Sequence, residues 1–401
     1  MTLLAGERSV ALADVATFIR GITFKPTDVV PEGTQGTVAC MRTKNVQSVL
    51  DVTDVWSVSR SFVKREDRYL RPGDVLIASA NSAHLVGRCC WVPALSRPST
   101  FGGFVSVLRA MDPAVDARYL YWWFSSPVVQ ATLRTFGRQT TNIVNLDLAR
   151  CRELRLPLPS LKEQRRIAEV LDRADALRAK RREALALLDD LIRSAFIAYF
   201  GRFEELGSLW PSQPLEAVAD AVNDCPHSTP QWTTSGKICL RTSNLNVGGW
   251  NWKDRRYVSS ATFEARSRRG LLLPGDIVLS REGTVGVAAI VPHELEACMG
   301  QRLVQVRAKS TIVRPEYLLR FLLQALAPAR IRIVMVGSTA QHLNVKELRC
   351  LRIPLPPVRQ QDRFAEAVDG IEALKAQASD QLDFLDSLLG SLQQRAFAGE
   401  L

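Results

Sequence analysis

The 401-residue chain has no run of about eighteen consecutive apolar residues, so no membrane-spanning helix is expected. Its first apolar stretch is broken by Glu7 and Arg8 and has no signal-peptide pattern, so a cytoplasmic protein is expected. The eight cysteines include no Cys-x-x-Cys, and Cys89-Cys90 are vicinal. They are read as small buried apolar residues, not as disulfides or zinc ligands. The four histidines, His84, His227, His293 and His342, suggest no metal site. No phosphate-binding Gly-x-x-x-x-Gly-Lys-Ser/Thr occurs; Ser235-Gly236-Lys237-Ile238 lacks the upstream glycine and the hydroxyl. No Asn/Asp-Pro-Pro-aromatic loop is present to hold a base for amino methylation, and none of the ten lysines follows an acid by two positions, as in common metal-dependent nucleases. Gly283-Thr284-Val285-Gly286 reads as a hairpin turn, and Asp189-Asp190 as the solvated face of a helix. These absences point to a non-catalytic chain.

What is present is a duplication. Arg42-Thr43-Lys44-Asn45-Val46 returns as Arg241-Thr242-Ser243-Asn244-Leu245, 199 positions on. Leu70–Leu76, with its Pro72-Gly73-Asp74, returns as Leu272–Val278 with Pro274-Gly275-Asp276, offset 202. Tyr119 returns as Tyr317, offset 198; Leu156-Pro157-Leu158-Pro159 returns as Ile353-Pro354-Leu355-Pro356, offset 197. Each Pro-Leu-Pro precedes about forty helix-like residues that carry an Ala-Phe near the end (Ala195-Phe196, Ala396-Phe397). Short apolar runs bounded by Gly, Pro, Asn and Asp read as strands of 4–6 residues. The Pro-Gly-Asp pairs read as structural turns.

The expected fold class is α+β: two duplicated α+β domains separated by two long helices forming an antiparallel coiled coil, with pseudo-two-fold symmetry. The expected boundaries are 1–158, 159–200 (helix), 201–214 (linker), 215–355, and 356–401 (helix and tail). Ser160 with Glu163 makes a capping box, and Pro357 stands where the second helix would have its serine, in a turn where the missing amide is tolerated. The first seam is read through Ile167, Val170, Ala174, Leu177, Ala184, Leu188, Leu191 and Ala195. The second is read from Phe364 to Ala396. A forty-residue helix is ~60 Å long, too long to bury its stripe on one small domain.

Charge adds a partner class. The net charge is +11. The first helix has nine basic against seven acidic residues and the second four against seven, so the globular parts hold about twelve positive charges. A basic globular surface points to nucleic acid.

Leu156–Ala168, Ile353–Gln361, the Pro-Gly-Asp turns, the Thr43 and Thr242 stretches and the ending Gln394–Leu401 together resemble the DNA-specificity subunit of type I restriction–modification enzymes. The resemblance spans essentially the whole chain. It implies two target-recognition domains, each reading one half of a split sequence in double-stranded DNA. A helical rod would set the gap and dock two methyltransferase subunits, with restriction subunits as further partners and no membrane. S-adenosylmethionine, ATP and Mg would sit on those partners, and no cofactor on this chain. The two helix starts differ, Ser160–Glu163 against Pro357–Gln360, which leaves the registration of the helices open. A non-DNA-binding coiled-coil scaffold is the rival reading.

Candidate DNA contacts are polar clusters at turns. In the first domain they are Arg42, Thr43, Lys44 and Asn45; Ser79, Asn81 and Ser82; and Arg138, Gln139, Thr140, Thr141 and Asn142. In the second they are Arg241, Thr242, Ser243 and Asn244; Ser280, Arg281 and Glu282; and Ser338, Thr339, Gln341 and His342. Such side chains suit base edges and phosphates, and turn chemistry alone also favours them. Arg165, Arg166, Arg178, Arg181 and Arg182 on the first helix are candidate contacts to a protein partner, or simply its soluble face.

Overall fold

The computed structural model describes residues 9–140, 143–283, 285–328, 330 and 343–401. The chain falls into two units. One runs to Arg182 and takes in Ser379–Leu401; the other is Glu183–Ala378. The divisions fall inside the two long helices, Leu161–Phe200 and Val358–Phe397. The expected separate helical domains are therefore shared out. Each unit holds one globular module, the first part of the helix that follows it and the last part of the other.

The modules repeat each other. In the first unit a four-stranded antiparallel sheet orders Ala16–Arg20, Val105–Ala110, Val75–Ala78 and Cys89–Trp91. In the second the order is Ala219–Asp224, Leu303–Ala308, Ile277–Ser280 and Ala288–Ile290. The central strands Val75–Ala78 and Ile277–Ser280 are nearly continuous apolar runs because both faces are covered. Val75 and Ile77 point to the core around Tyr119 and Trp123, while Leu76 and Ala78 point to the core around Met41 and Phe101. Ile277 and Leu279 likewise face Tyr317, and Val278 faces Leu240 and Met299. A second sheet covers the far face, with Thr37–Met41 parallel to Ser99–Phe101, and Lys237–Leu240 parallel to Ala297–Met299. The expected linker 201–214 contains a strand, Ser212–Pro214, which pairs with Arg352–Pro354. This matches Ser9–Ala11 on Arg155–Pro157.

Three polar devices are built twice. Asp74, 1% exposed, takes Arg109 on both oxygens at 2.7 Å, and its Oδ2 accepts from the Arg71 amide at 2.8 Å. Asp276 does the same with Arg307 (2.7 and 2.8 Å) and the Leu273 amide (2.7 Å). The Pro-Gly-Asp turns, with Gly73 at φ 96° and Gly275 at φ 87°, thus anchor the sheet. The Tyr119 hydroxyl donates to the Pro157 carbonyl (2.9 Å) and that of Tyr317 to Pro354 (2.8 Å). Fully buried Gln164 accepts from the Asp116 amide and donates to Ala114 and Pro159, all at 2.9 Å. Gln361 repeats this with Arg314, Ile312 and Pro356.

The glutamines settle the helix registration: offset 197 holds through both helices, which are 40 residues each. That offset pairs Phe397 with Phe200, not with Phe196 as the Ala-Phe repeat suggested. Phe397 packs on Tyr119 (ring centroids 5.4 Å apart) and Phe200 on Tyr317 (4.7 Å). Within each unit the helix segments run antiparallel. Arg166 reaches the Leu401 carbonyl and Arg178 reaches Asp386; Gln360 reaches the Tyr199 carbonyl and Lys375 reaches Asp189. Ser160 caps the Glu163 amide.

The first seam needs correction. Leu177 and Leu191 are half exposed, and Leu171 and Ile192 are fully buried instead. The seam runs through Ile167, Leu171, Ala174 and then Arg178, whose charge lies against Asp386 and Asp175. In the second helix Phe364, Val368, Ile371, Ala378, Leu389 and Ala396 are buried, whereas Leu374 is exposed. No described helix is long and apolar enough to cross a membrane.

Candidate nucleic-acid interface

The repeated Arg-Thr-x-Asn stretches form single turns of 3-10 helix, Thr43–Asn45 and Thr242–Asn244. Each asparagine is buried, with both ends of its amide engaged. Asn45 accepts from the Arg42 amide (2.7 Å) and donates to the carbonyls of Asp51 (2.8 Å) and Asp54 (2.9 Å). Asn244 accepts from Arg241 (2.9 Å) and donates to Asn251 (3.2 Å) and Asp254 (3.0 Å). Asn45 and Asn244 therefore shape the turn and are not surface contacts, contrary to the sequence expectation. Arg42 lies over the Trp56 ring at 4.3 Å and pairs with Asp54, as does exposed Lys44. Lys44, then Arg42, hold the Asp54 carboxyl below the usual carboxylate range. Arg241 pairs with Asp254 and faces Trp232. Thr43 and Thr242 are partly exposed and Ser243 exposed.

The fold brings the other two first-unit clusters together. Ala80–Asn81 pairs with Ile143–Leu146, which pairs with Gly137–Thr140, so Asn81 and Arg138 share one three-stranded sheet. Ser79 is half-buried and takes a hydrogen bond from Ser106 (3.0 Å). Asn81 accepts from the Ser82 amide (2.9 Å). Arg138, 79% exposed, pairs with Asp147 at 2.6 Å. Chiefly the Arg150 amide, with Arg138 adding, holds the Asp147 carboxyl low. The backbone of Gln139 and Thr140 lies in the hairpin. Thr141, Asn142, Ser338, Thr339, Gln341 and His342 lie outside the described residues.

In the second unit Ser280 is fully buried, its hydroxyl donating to the Glu282 carbonyl (3.1 Å), so it too is a structural residue. Arg281 is largely buried and paired with Asp224 and Glu282. Sequence reasoning missed the neighbours of these clusters. The amides of Ser79 and Ala80 donate to the carbonyl of Phe104, which is 61% exposed. Phe104 lines a cleft of about 510 Å³ with Phe24, Arg42, Thr43 and Trp56. In the second unit the Arg281 amide donates to the Arg302 carbonyl. Beside it, buried Arg266 holds the 226–228 loop by the carbonyls of Pro226 and Ser228. The available signal was a Gly-x-x entry to a strand, Gly102–Phe104 and Gly300–Arg302, offset 198.

A family model described as type I restriction modification DNA specificity domain matches residues 8–187 and 260–383. The chain belongs to that family. It is 24% identical to the EcoKI specificity subunit of Escherichia coli K12, across 97% of this chain and 88% of that one. It is 22% identical to the StySPI specificity subunit of Salmonella potsdam, across 99% and 89%. Among solved structures, the S subunit of a type I system from M. genitalium covers 99% of this chain and 98% of its own, with TM-score 0.54 at 14% identity. A type I restriction–modification structure on complex assembly and conformational transition covers 100% of both, with TM-score 0.50 at 19% identity. These share the fold.

The helix arginines of this specificity-family chain divide by location. Arg178 and Arg182 both reach Asp386 on the other long helix, so Arg178, 19% exposed, is engaged within the helix pair. Arg166 pairs with Glu163 and the Leu401 carbonyl; Arg181 is partly buried. Arg165, 64% exposed and 3.9 Å from Asp116, is the most open of the five.

Proposed function

We propose that the chain is the non-catalytic DNA-reading subunit of a type I restriction–modification complex, each unit reading one half of a split target. The observation that carries this is a repeated scaffold with unlike surfaces. The Asp–Arg, Tyr–carbonyl and Gln devices are the same in both units, whereas the cluster ends differ: Ser79, Asn81 and Phe104 against Arg281, Glu282 and Arg302. Basic side chains such as Arg138 and Lys44 supply phosphate attraction and register, and groove-facing side chains supply sequence. The long helices set the gap and dock two methyltransferase subunits. Joining two modest half-site readings in one molecule makes the second engagement intramolecular. S-adenosylmethionine belongs on the methyltransferase partners. ATP and Mg belong on restriction partners where these are used.

The test is co-expression with an adenine methyltransferase subunit, followed by long-read sequencing for methylated adenine. Two short half-sites around a fixed gap are expected. A soluble, co-purifying complex that adds no methylation would overturn the reading in favour of a scaffold.

A further inference from the structure

The two units place one residue at the same point of the fold and give it opposite chemistry. Phe104 and Arg302 each follow a Gly-x pair and directly precede the strand that starts at Val105 or Leu303. The Gly102 amide donates to Met41 at 2.9 Å, and that of Gly300 to Leu240 at 2.8 Å. The carbonyl of Phe104 accepts from the Ser79 amide at 3.0 Å, and that of Arg302 from Arg281 at 3.0 Å. These backbone hydrogen bonds hold both positions, and the Phe104 carbonyl takes a second one from the Ala80 amide at 3.1 Å. Both side chains stay open, Phe104 at 61% exposure and the Arg302 side chain at 60%.

Arg302 has φ 65°, the sole positive φ of a non-glycine residue among the described residues. Such strain concentrates at functional sites. The guanidinium is oriented: its Nε lies 3.1 Å from Glu282 Oε2, and Glu282 is itself held by Arg281, which Asp224 holds in turn. Next to it the side-chain amide of Gln301 donates to the His227 carbonyl, in the loop that buried Arg266 anchors. An oriented, open guanidinium is suited to the O6 and N7 of guanine. In the first unit the matching neighbours, Ser79 and Ala80, carry no charge. A phenyl ring has nothing to offer a phosphate, but it fits the methyl group of thymine. The exchange of arginine for phenylalanine at one fixed position therefore argues for a place that faces bases.

Resting on the functional reading above, we infer that Phe104 and Arg302 are the matching specificity-determining positions of the two units. Phe104 contacts a thymine methyl in one half-site, and Arg302 contacts a guanine in the other. Glu282 is a positioning residue for Arg302.

The test compares the wild-type chain with F104A, R302A and R302K, each full-length and co-expressed with the methyltransferase subunit, by sequencing methylated adenines. With R302A, one guanine position of one half-site relaxes, losing a roughly 5- to 150-fold preference, while the other half-site is unchanged. R302K relaxes the same position, because lysine cannot make the bidentate contact. F104A relaxes a thymine in the opposite half-site. Thermal melting of the purified complexes establishes that each variant is folded. A normal wild-type motif that survives unaltered in the variants overturns this inference alone. So does full retention of specificity in R302K, or a uniform loss of methylation in folded R302A, each of which would make Arg302 a phosphate contact. A wild-type complex with no split motif overturns the functional reading itself, and this inference with it.

Discussion

Asn45 and Asn244 look like base readers, and burial assigns them to the scaffold. Each side chain is buried and satisfies three part-buried backbone groups. Removing one partner of buried hydrogen bonds costs about 1–3 kcal/mol. Asn45→Ala is therefore expected to lower stability by about 2 kcal/mol in urea unfolding, with the methylated sequence unchanged. A variant of normal stability with an altered half-site would return Asn45 to the interface. The residue types of the candidate clusters were legible in sequence, because Ser, Thr, Asn and Arg at turns suit both base edges and phosphates. Which of them face outward was not. Ser280 and Arg281 are adjacent and polar, yet one is sealed beneath the sheet end and the other joins an ion-pair network. Phe104 is hidden for another reason: the run Phe104–Leu108 reads as one strand, whereas the strand begins at Val105.

At the scale of elements, the fold was legible wherever a pattern occurs twice. The strands at 75–78 and 277–280, the Pro-Gly-Asp turns and the two helices all follow from the repeat. The first helix seam was misjudged because Arg178 occupies one of its positions, and a charged residue there looks like a break. Its acidic partner on the other helix, Asp386, lies 208 positions away and carries no local signal. The glutamines lie within the Pro-Leu-Pro stretches, but their work depends on a pocket formed by residues about fifty positions earlier. Gln361→Ala leaves the Arg314 amide and two carbonyls without partners. The expected loss is about 2–3 kcal/mol, read as a lower melting temperature. Gln361→Glu should do no better, since the carboxylate cannot donate to the Ile312 and Pro356 carbonyls. A melting temperature equal to wild type in either variant would mean that the helix start is held by packing alone.

For the whole molecule, the continuity of two forty-residue helices makes the gap in the target a question of length. Inserting four residues into each, near 182 and 378, adds ~6 Å of helix, against ~3.4 Å per base pair. The recognised gap is expected to grow by about one to two base pairs, and sequencing that shows the old gap would refute the role of the helices. The sharing of helix ends between units has another consequence. A chain stopped at Phe200 has a vacant socket around Tyr119 and carries a plug of related design, residues 183–200. Two copies could therefore complete each other and direct a methyltransferase partner to a palindrome. The plugs are not interchangeable, however. Where the native filler offers Gln393, donating to the Trp122 carbonyl, and small Ala396, residues 183–200 offer Phe196 and Tyr199, shaped to Phe364 in the other unit. Self-pairing of the half-chain should be weak by sedimentation and strengthen several-fold in F196Q/Y199A; equal dimerisation would show the sockets to be indifferent. Four side chains in the helix ends would then be what keeps unlike halves together, and so what lets the molecule read an asymmetric sequence.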